Sequence, residues 1–369
     1  MPLCRLDICN VRNISNLRLE PSLQVNLISG VNGSGKTSIL EAIHLLSVGR
    51  SFRSHKHKTY IQNDHAECVV FAHVKNTEHH TLSIGLKRLR DGELDARIQG
   101  QKIQSLVELA EVFPVQLINP DSFRLLEGSP KIRRQFIDWG VFHNAPDFIN
   151  AWRGWHKALK QRNTLLRRGK ISANLLAAFD QELVRLGSTV NQCRHDYLAR
   201  LLPVFKRVLA SLNQSLDVTL QLYQGWDSQK SFAEAVVASQ MRDIDSGYSH
   251  IGPQRADLKV KTAMGDALDT LSRGQQKLVV SALKIAQGQL LVESGRSLLF
   301  LVDDLPAELD KEHRAKLCQL LEALDSQIFI TSVESEMMDY CWSETTDVRR
   351  FEMKDGELSN YSSTDLQES

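Results

Sequence analysis

No two cysteines in this 369-residue chain stand in a C-x-x-C arrangement. Cys4, Cys9, Cys68, Cys193, Cys318 and Cys341 are scattered, which argues against zinc or dithiol chemistry and fits a reducing cytoplasm. Charge of either sign is not in excess: 45 Lys and Arg oppose 44 Asp and Glu, so any nucleic-acid binding has to come from local patches. The chain has no apolar run of about 18 residues and no basic stretch leading into one, so neither a membrane span nor secretion is expected. Internal repeats and sustained heptads are also missing, which excludes a solenoid and an extended coiled coil. Zinc fingers and other base-reading motifs are absent too. With 42% hydrophobic and 24% charged residues, the composition is that of a globular protein large enough for one large or two ordinary domains.

What the chain does contain is a phosphate-capture loop. Gly30, Val31, Asn32, Gly33, Ser34, Gly35, Lys36, Thr37 and Ser38 fit G-x-x-x-x-G-K-[ST]. Val25, Leu27 and Ile28 before them predict a buried strand, and Ile39, Leu40, Ile43 and Leu46 after them give a helix its apolar face. A Gly-rich turn between strand and helix turns backbone N–H groups inward, as an anion nest at a helix N-terminus. Lys36 is expected to bridge the β- and γ-phosphates of a nucleotide, and Thr37 to hold Mg²⁺.

Periodicity outlines the rest. Strands dominate up to about Leu106, with a hairpin at Asp91-Gly92 between Leu82–Leu89 and Leu94–Ile98. From about Pro130 to Met241 the pattern is helical: Phe148, Trp152, Trp155 and Leu159 share one period, and Leu175, Phe179, Leu183, Leu186 and Val190 share another. Core packing is the plain reading of both tryptophans, base stacking the other. Strands return at Leu258–Lys261, Leu298–Val302 and Ile328–Thr331, and a short polar tail begins at Ser359. Strand-rich ends around a helical block predict a nucleotide-binding core in two parts, 1–118 and 250–369, with a mostly helical lobe, 119–249, inserted between them.

The strand Leu298–Val302 ends in Asp303 and Asp304. Buried strands rarely end in paired acids without a cation. Asp303 is expected to hold Mg²⁺, and Asp304 to orient or deprotonate a water, with a cap of the following turn as its bland alternative. Gln116 reads either as a link from the metal to the lobe or as an ordinary buried strand position. Ser272, Gly274 and Gln275 open an amphipathic helix, with Ser272 as its N-cap.

Taken together, G-V-N-G-S-G-K-T-S, L-S-R-G-Q-Q-K and L-L-F-L-V-D-D-L-P-A-E-L-D resemble the ABC-type ATPases of the chromosome-maintenance and Rad50 group. Arg50-Ser51-Phe52-Arg53, Ser129-Pro130-Lys131-Ile132-Arg133-Arg134 with Asp138, Leu159-Lys160-Gln161-Arg162-Asn163 and Gly252-Pro253-Gln254-Arg255-Ala256-Asp257-Leu258 are more closely similar to the RecF family of recombination-repair mediators. The resemblance implies an α/β ABC-type P-loop ATPase head with an inserted helical lobe and no long coiled coil. It implies ATP and Mg²⁺ as cofactors, and an ATP-dependent homodimer in which Ser272, Gly274 and Gln275 of one subunit cover the nucleotide of the other. Asp310 is then the contact of the interface loop with the partner. Asp304 in place of the usual Glu, and Thr331-Ser332 in place of a histidine, imply slow hydrolysis.

Residues 151–170 carry seven Lys and Arg, and no acid occurs between Phe148 and Phe179. Lys160, Arg162, Arg167 and Arg168 in that segment, and Arg50, Arg53 and Lys56 after the first helix, are the candidate DNA contacts, indifferent to base sequence. A solvated helix face is the alternative for the first group; Arg53 reads also as a nucleotide neighbour. The resemblance implies a cytoplasmic, ATP-gated DNA-binding protein acting at gapped or stalled replication sites, loading RecA with RecO and RecR and supporting the SOS response. A P-loop small-molecule kinase and a Rad50-like structural organiser are the rival readings.

Overall fold

The computed structural model describes residues 2–75, 80–168, 172–334 and 336–361. They divide into two units, Met1–Ser122 with Ser281–Ser369, and Phe123–Val280.

Two kinds of strand build the first unit. In β1 (Leu3–Val11) and β4 (Glu67–Lys75) buried and half-exposed residues alternate in large part, as one-sided antiparallel strands require. With β2 (Ile14–Leu19), β5 (Thr81–Leu89), β6 (Leu94–Ile98) and β7 (Gln101–Lys102) they form a six-stranded antiparallel sheet of order β2-β1-β4-β5-β6-β7. The expected hairpin is present: Arg88 pairs with Leu94, and the Glu93 N–H donates to Asp91 Oδ1 at 2.9 Å. By contrast β3 (Val25–Ser29), β12 (Leu299–Val302) and β13 (Gln327–Thr331) are almost continuously buried, the mark of strands covered on both faces. They run parallel to one another and to β8 (Val115–Ile118) and β14 (Val348–Lys354), and antiparallel β15 (Glu357–Tyr361) completes the order β15-β14-β3-β13-β12-β8. Ser359, expected to begin a loose tail, lies in β15; residues 362–369 fall outside the described ones.

Helix α1 (Lys36–Val48) is apolar on nearly every side because it belongs to the core of both sheets. Its Ile39, Leu40, Ile43 and Leu46 share a cluster with Leu6, Ile8 and Val70 of the antiparallel sheet and with Leu299, Leu301 and Phe329 of the parallel one. Helices α2 (Leu106–Val112), α10 (Leu305–Glu308) and α11 (Lys311–Glu322), and α9 (Arg273–Glu293) from Ser281 onward, also belong to this unit.

The second unit holds α3 (Arg124–Glu127), α4 (Pro130–Asn144), α5 (Phe148–Arg167), α6 (Ala173–Leu212), α7 (Phe232–Ser246), α8 (Ala267–Thr270) and the start of α9 (Arg273–Glu293). Its longest helix, α6, has 40 residues and so is about 60 Å long. Trp155 is buried, as core packing predicts, and the half-buried Trp152 donates its indole N–H to Asp138 Oδ2 at 3.3 Å. Leu175 does not keep to the expected stripe: it is 46% exposed, and Leu176 is buried in its place.

The lobe differs from expectation in two ways. It runs from Phe123 to Val280 rather than over 119–249, because a three-stranded sheet belongs to it. Strand β9 (Thr219–Tyr223), inside the block read as helix, pairs with β10 (Asp257–Thr262), which in turn pairs with β11 (Gly265–Asp266). Motifs far apart in the chain meet here. Arg133 forks onto Asp257 at 2.7 and 3.1 Å, Arg134 donates to Ala256 O at 2.7 Å, and Arg194 joins Asp138 to Pro253 O.

Candidate functional site

The phosphate loop leaves β3 at Ser29 and enters α1 at Lys36. Gly30 has φ 144°, and a Cβ there would lie 2.3 Å from Met353 O; Gly33, at φ 85°, has open space where its side chain would be. Gly35 is the N-cap of α1. The loop borders a cavity of about 520 Å³, a size suited to a small ligand. Asn32, Gly33, Gly35, Lys36, Thr37 and Ser38 line it. Gly30 and Val31 instead give their carbonyls to Lys36 Nζ, at 2.6 and 3.0 Å, and Ser34 is turned inward. Burial lowers the Lys36 pKa, opposed by the charges of Asp304 and Asp303.

Opposite the loop stand the two acids. The Asp303 N–H is fixed by Ile118 O at 2.8 Å, and Thr37 Oγ1 donates to Asp303 Oδ1 at 2.9 Å, so the two residues expected to share a metal are brought together. Hydroxyl and carboxylate are hard oxygen donors, which fits Mg²⁺. Asp304 also lines the cavity. It precedes α10 in the left-handed region, φ 55° and ψ 43°, and its side chain makes no cap bond, so the turn-capping alternative is not realised. Burial, and then the charge of Asp303, raise its pKa, as suits a group that accepts a proton.

Residues that the sequence reading missed complete the wall. Arg12 and Asn13, in the turn between β1 and β2, line the cavity, and Asn13 reaches the loop from about twenty residues away. Asn13 Nδ2 donates to Gly33 O and Asn13 Oδ1 accepts from Ser38 Oγ, both at 3.1 Å. Arg12 forks onto the fully buried Glu41 at 2.8 Å on each arm. Arg53 lines the same cavity, 3.7 Å from Glu41, which favours its reading as a nucleotide neighbour over that of a DNA contact. Thr331 also lines the cavity, from the end of β13.

Gln116 does not line the cavity; it is buried, donating to Gln287 Oε1 at 3.0 Å and Lys284 O at 3.3 Å. Beside it burial pushes the Lys284 ammonium down to about 8. Ser272, Gly274 and Gln275 belong to the second unit. Ser272 and Gln275 form a capping box: the Ser272 N–H donates to Gln275 Oε1 at 2.9 Å and the Gln275 N–H to Ser272 Oγ at 3.3 Å. Ser272 and Gly274 are exposed. Asp310 caps α11, accepting from the His313 N–H at 3.0 Å, and its carboxylate remains largely exposed.

The basic patch on α5 needs one correction. Arg162 is buried, paired with Asp180 at 2.5 Å and Asp243 at 2.7 Å, and it donates to Ser249 Oγ at 2.7 Å. Spacing explains this, since Trp155, Ala158, Arg162 and Leu165 lie on one face and Arg162 therefore points into the lobe. Lys160, Arg167 and Arg168 are exposed, as are Arg50 and Lys56 in the other patch. Lys170 lies outside the described residues.

Comparison with known proteins agrees with this geometry. The family model RecF/RecN/SMC N terminal domain matches residues 2–356. The DNA replication and repair protein RecF of Marinomonas sp. (strain MWYL1) is 69% identical over 359 residues, covering 97% of this chain and 98% of the relative. Its namesake in Pseudomonas putida strain KT2440 is 48% identical over 360 residues, with the same coverage. A solved structure of the recombination mediator RecF with ATP, in the RecFOR pathway, superposes with a TM-score of 0.84 at 25% identity over 98% of both chains. An Smc head bound to the C-terminal winged-helix domain of ScpA shares the fold, with a TM-score of 0.60 at 15% identity over 100% of both chains. The chain belongs to the RecF family of DNA replication and repair proteins, within the wider group of RecF, RecN and SMC ATPase heads.

Proposed function

We propose that this protein is an ATP-dependent DNA-binding switch of recombination repair, in which ATP joins two copies of the chain around composite sites. The observation that carries the reading is the meeting of Thr37 with Asp303 inside the cavity of the phosphate loop. Loop N–H groups and Lys36 take up the triphosphate, and Thr37 and Asp303 hold Mg²⁺, which when bound offsets charge on the β- and γ-phosphate oxygens. Asp304 receives the proton of the attacking water. It has one methylene fewer than a glutamate, and Thr331 stands where a γ-phosphate-sensing histidine is common, so turnover is slow and the bound state long-lived.

The exposed Ser272 hydroxyl, at the start of α9, supports a contact with the γ-phosphate held by a second copy, and Asp310 supports one with the partner's loop. Lys160, Arg167 and Arg168, with Arg50 and Lys56, supply phosphate contacts to DNA of any sequence. The RecFOR pathway named for the ATP-bound relative supports a partnership with RecO and RecR; with it we propose a cytoplasmic role in loading RecA at gapped or stalled replication sites and in the SOS response. Calorimetric titration with ATP in magnesium and in a chelator tests the site. Tight binding that needs magnesium and disappears in Asp303→Ala is the expected result; binding indifferent to both changes would overturn it.

A further inference from the structure

The loop after α7 carries an exposed ring that neither the nucleotide cavity nor the helical basic face accounts for. Tyr248 is 40% exposed, yet the residues around it are firmly held. Asn163 Oδ1 accepts from the Ser249 N–H at 2.9 Å and from its hydroxyl at 2.8 Å. Asp243 accepts the His250 N–H at 3.0 Å, lies 2.9 Å from His250 Nδ1, and pairs with Arg162. Asp243 is buried, so this acid and the arginine that neutralises it serve as anchors and leave the surface to other groups.

One of those other groups is a cation. The guanidinium of Arg255, itself exposed, lies over the Tyr248 ring, 6.0 Å from its centroid, and the neighbouring His250 ring is 4.2 Å away at 33°. Gly247, at φ 74°, rests on the end of α5: a Cβ there would be 3.4 Å from Arg167 Cγ. An aromatic ring fixed in advance beside arginines is the arrangement that takes up an unpaired base, since the ring covers the base face and the cations meet the flanking phosphates. In a duplex the base faces are already covered by their neighbours.

We infer that Tyr248, with Arg255 over its ring and Arg167 beside the preceding Gly247, is a stacking site for an unpaired base of single-stranded DNA. The inference rests on the DNA-binding reading above and adds to it a preference for exposed bases. It is tested by measuring Kd for oligothymidylate and for a duplex of equal length, with ATP and over a range of salt. Tyr248→Ala is expected to weaken single-strand binding by about tenfold without changing its salt slope, because the substitution removes a base stack and leaves every phosphate pairing in place. Tyr248→Phe keeps the ring and is expected to bind like the wild type, and the duplex affinity of both variants should hold. A silent Tyr248→Ala, or an equal weakening on the duplex, would overturn the site. Failure of the wild type to bind either DNA would instead overturn the DNA-binding reading itself.

Discussion

Thr331 donates its hydroxyl hydrogen to Asp303 Oδ1 at 2.8 Å, while its own oxygen accepts the N–H of Asp304 at 2.9 Å. One fully buried side chain at the end of β13 thus fixes both acids at the end of β12. Thr331→Val keeps the shape and leaves a carboxylate oxygen and an amide short of a partner. A decrease of about 1–3 kcal/mol in denaturant unfolding is expected, with Thr331→Ser close to the wild type. Equal stability of all three proteins would deny Thr331 this role.

Asp304 responds to pH with a definite sign. Its pKa is raised in the folded state by burial and by Asp303, so protonation favours folding, and the carboxylate opposes it once pH rises through the folded pKa. Asp304→Asn should therefore raise the melting temperature of the nucleotide-free protein at neutral pH. That gain should vanish as pH falls below the ordinary aspartate range. Hydrolysis by the variant should drop by roughly 100-fold or more, the usual share of a general base, with ATP binding retained. Wild-type turnover in Asp304→Asn would remove Asp304 from catalysis.

Lys36→Ala deletes the cation that now bonds two loop carbonyls. ATP affinity should fall by about 100-fold, the measure of one or two charge-assisted hydrogen bonds. An unchanged calorimetric isotherm would refute the assignment of the phosphate loop.

Arg162 and its exposed neighbours should separate cleanly. Arg162→Met leaves the buried Asp243 without its guanidinium partner and should destabilise the protein by about 3–5 kcal/mol. Reversing charge at Lys160, Arg167 and Arg168 should leave stability within about 0.5 kcal/mol. The triple variant should also flatten the plot of log affinity for duplex DNA against log salt by about 0.9 for each phosphate it no longer neutralises. A wild-type slope would move the DNA surface to the Arg50 and Lys56 patch.

How far these features could be read from the sequence depended on the range of the interaction behind them. The phosphate loop, Asp303 and the Ser272 cap are set by neighbours in the chain, and strand burial on both faces was written in the apolar run Leu298–Val302. Arg12 and Asn13 gave no local signal, because their meaning lies in a hairpin turn folding back onto Gly33 and Glu41. Arg162 did carry one, its place seven residues after Trp155 on the apolar face, but the basic run around it masked that period. The lobe boundary was missed because β9 finds its partner more than thirty residues later, in β10, and pairing at that distance leaves no local mark.

The composite ATP site is tested most directly by molar mass in solution, measured by light scattering with and without ATP for the wild type and for Ser272→Arg. The wild type should double in mass with ATP, and Ser272→Arg should bind ATP with normal affinity yet keep the mass of one chain. A wild type that stays monomeric with saturating ATP, or a Ser272→Arg variant that dimerises as well as the wild type, would contradict the account.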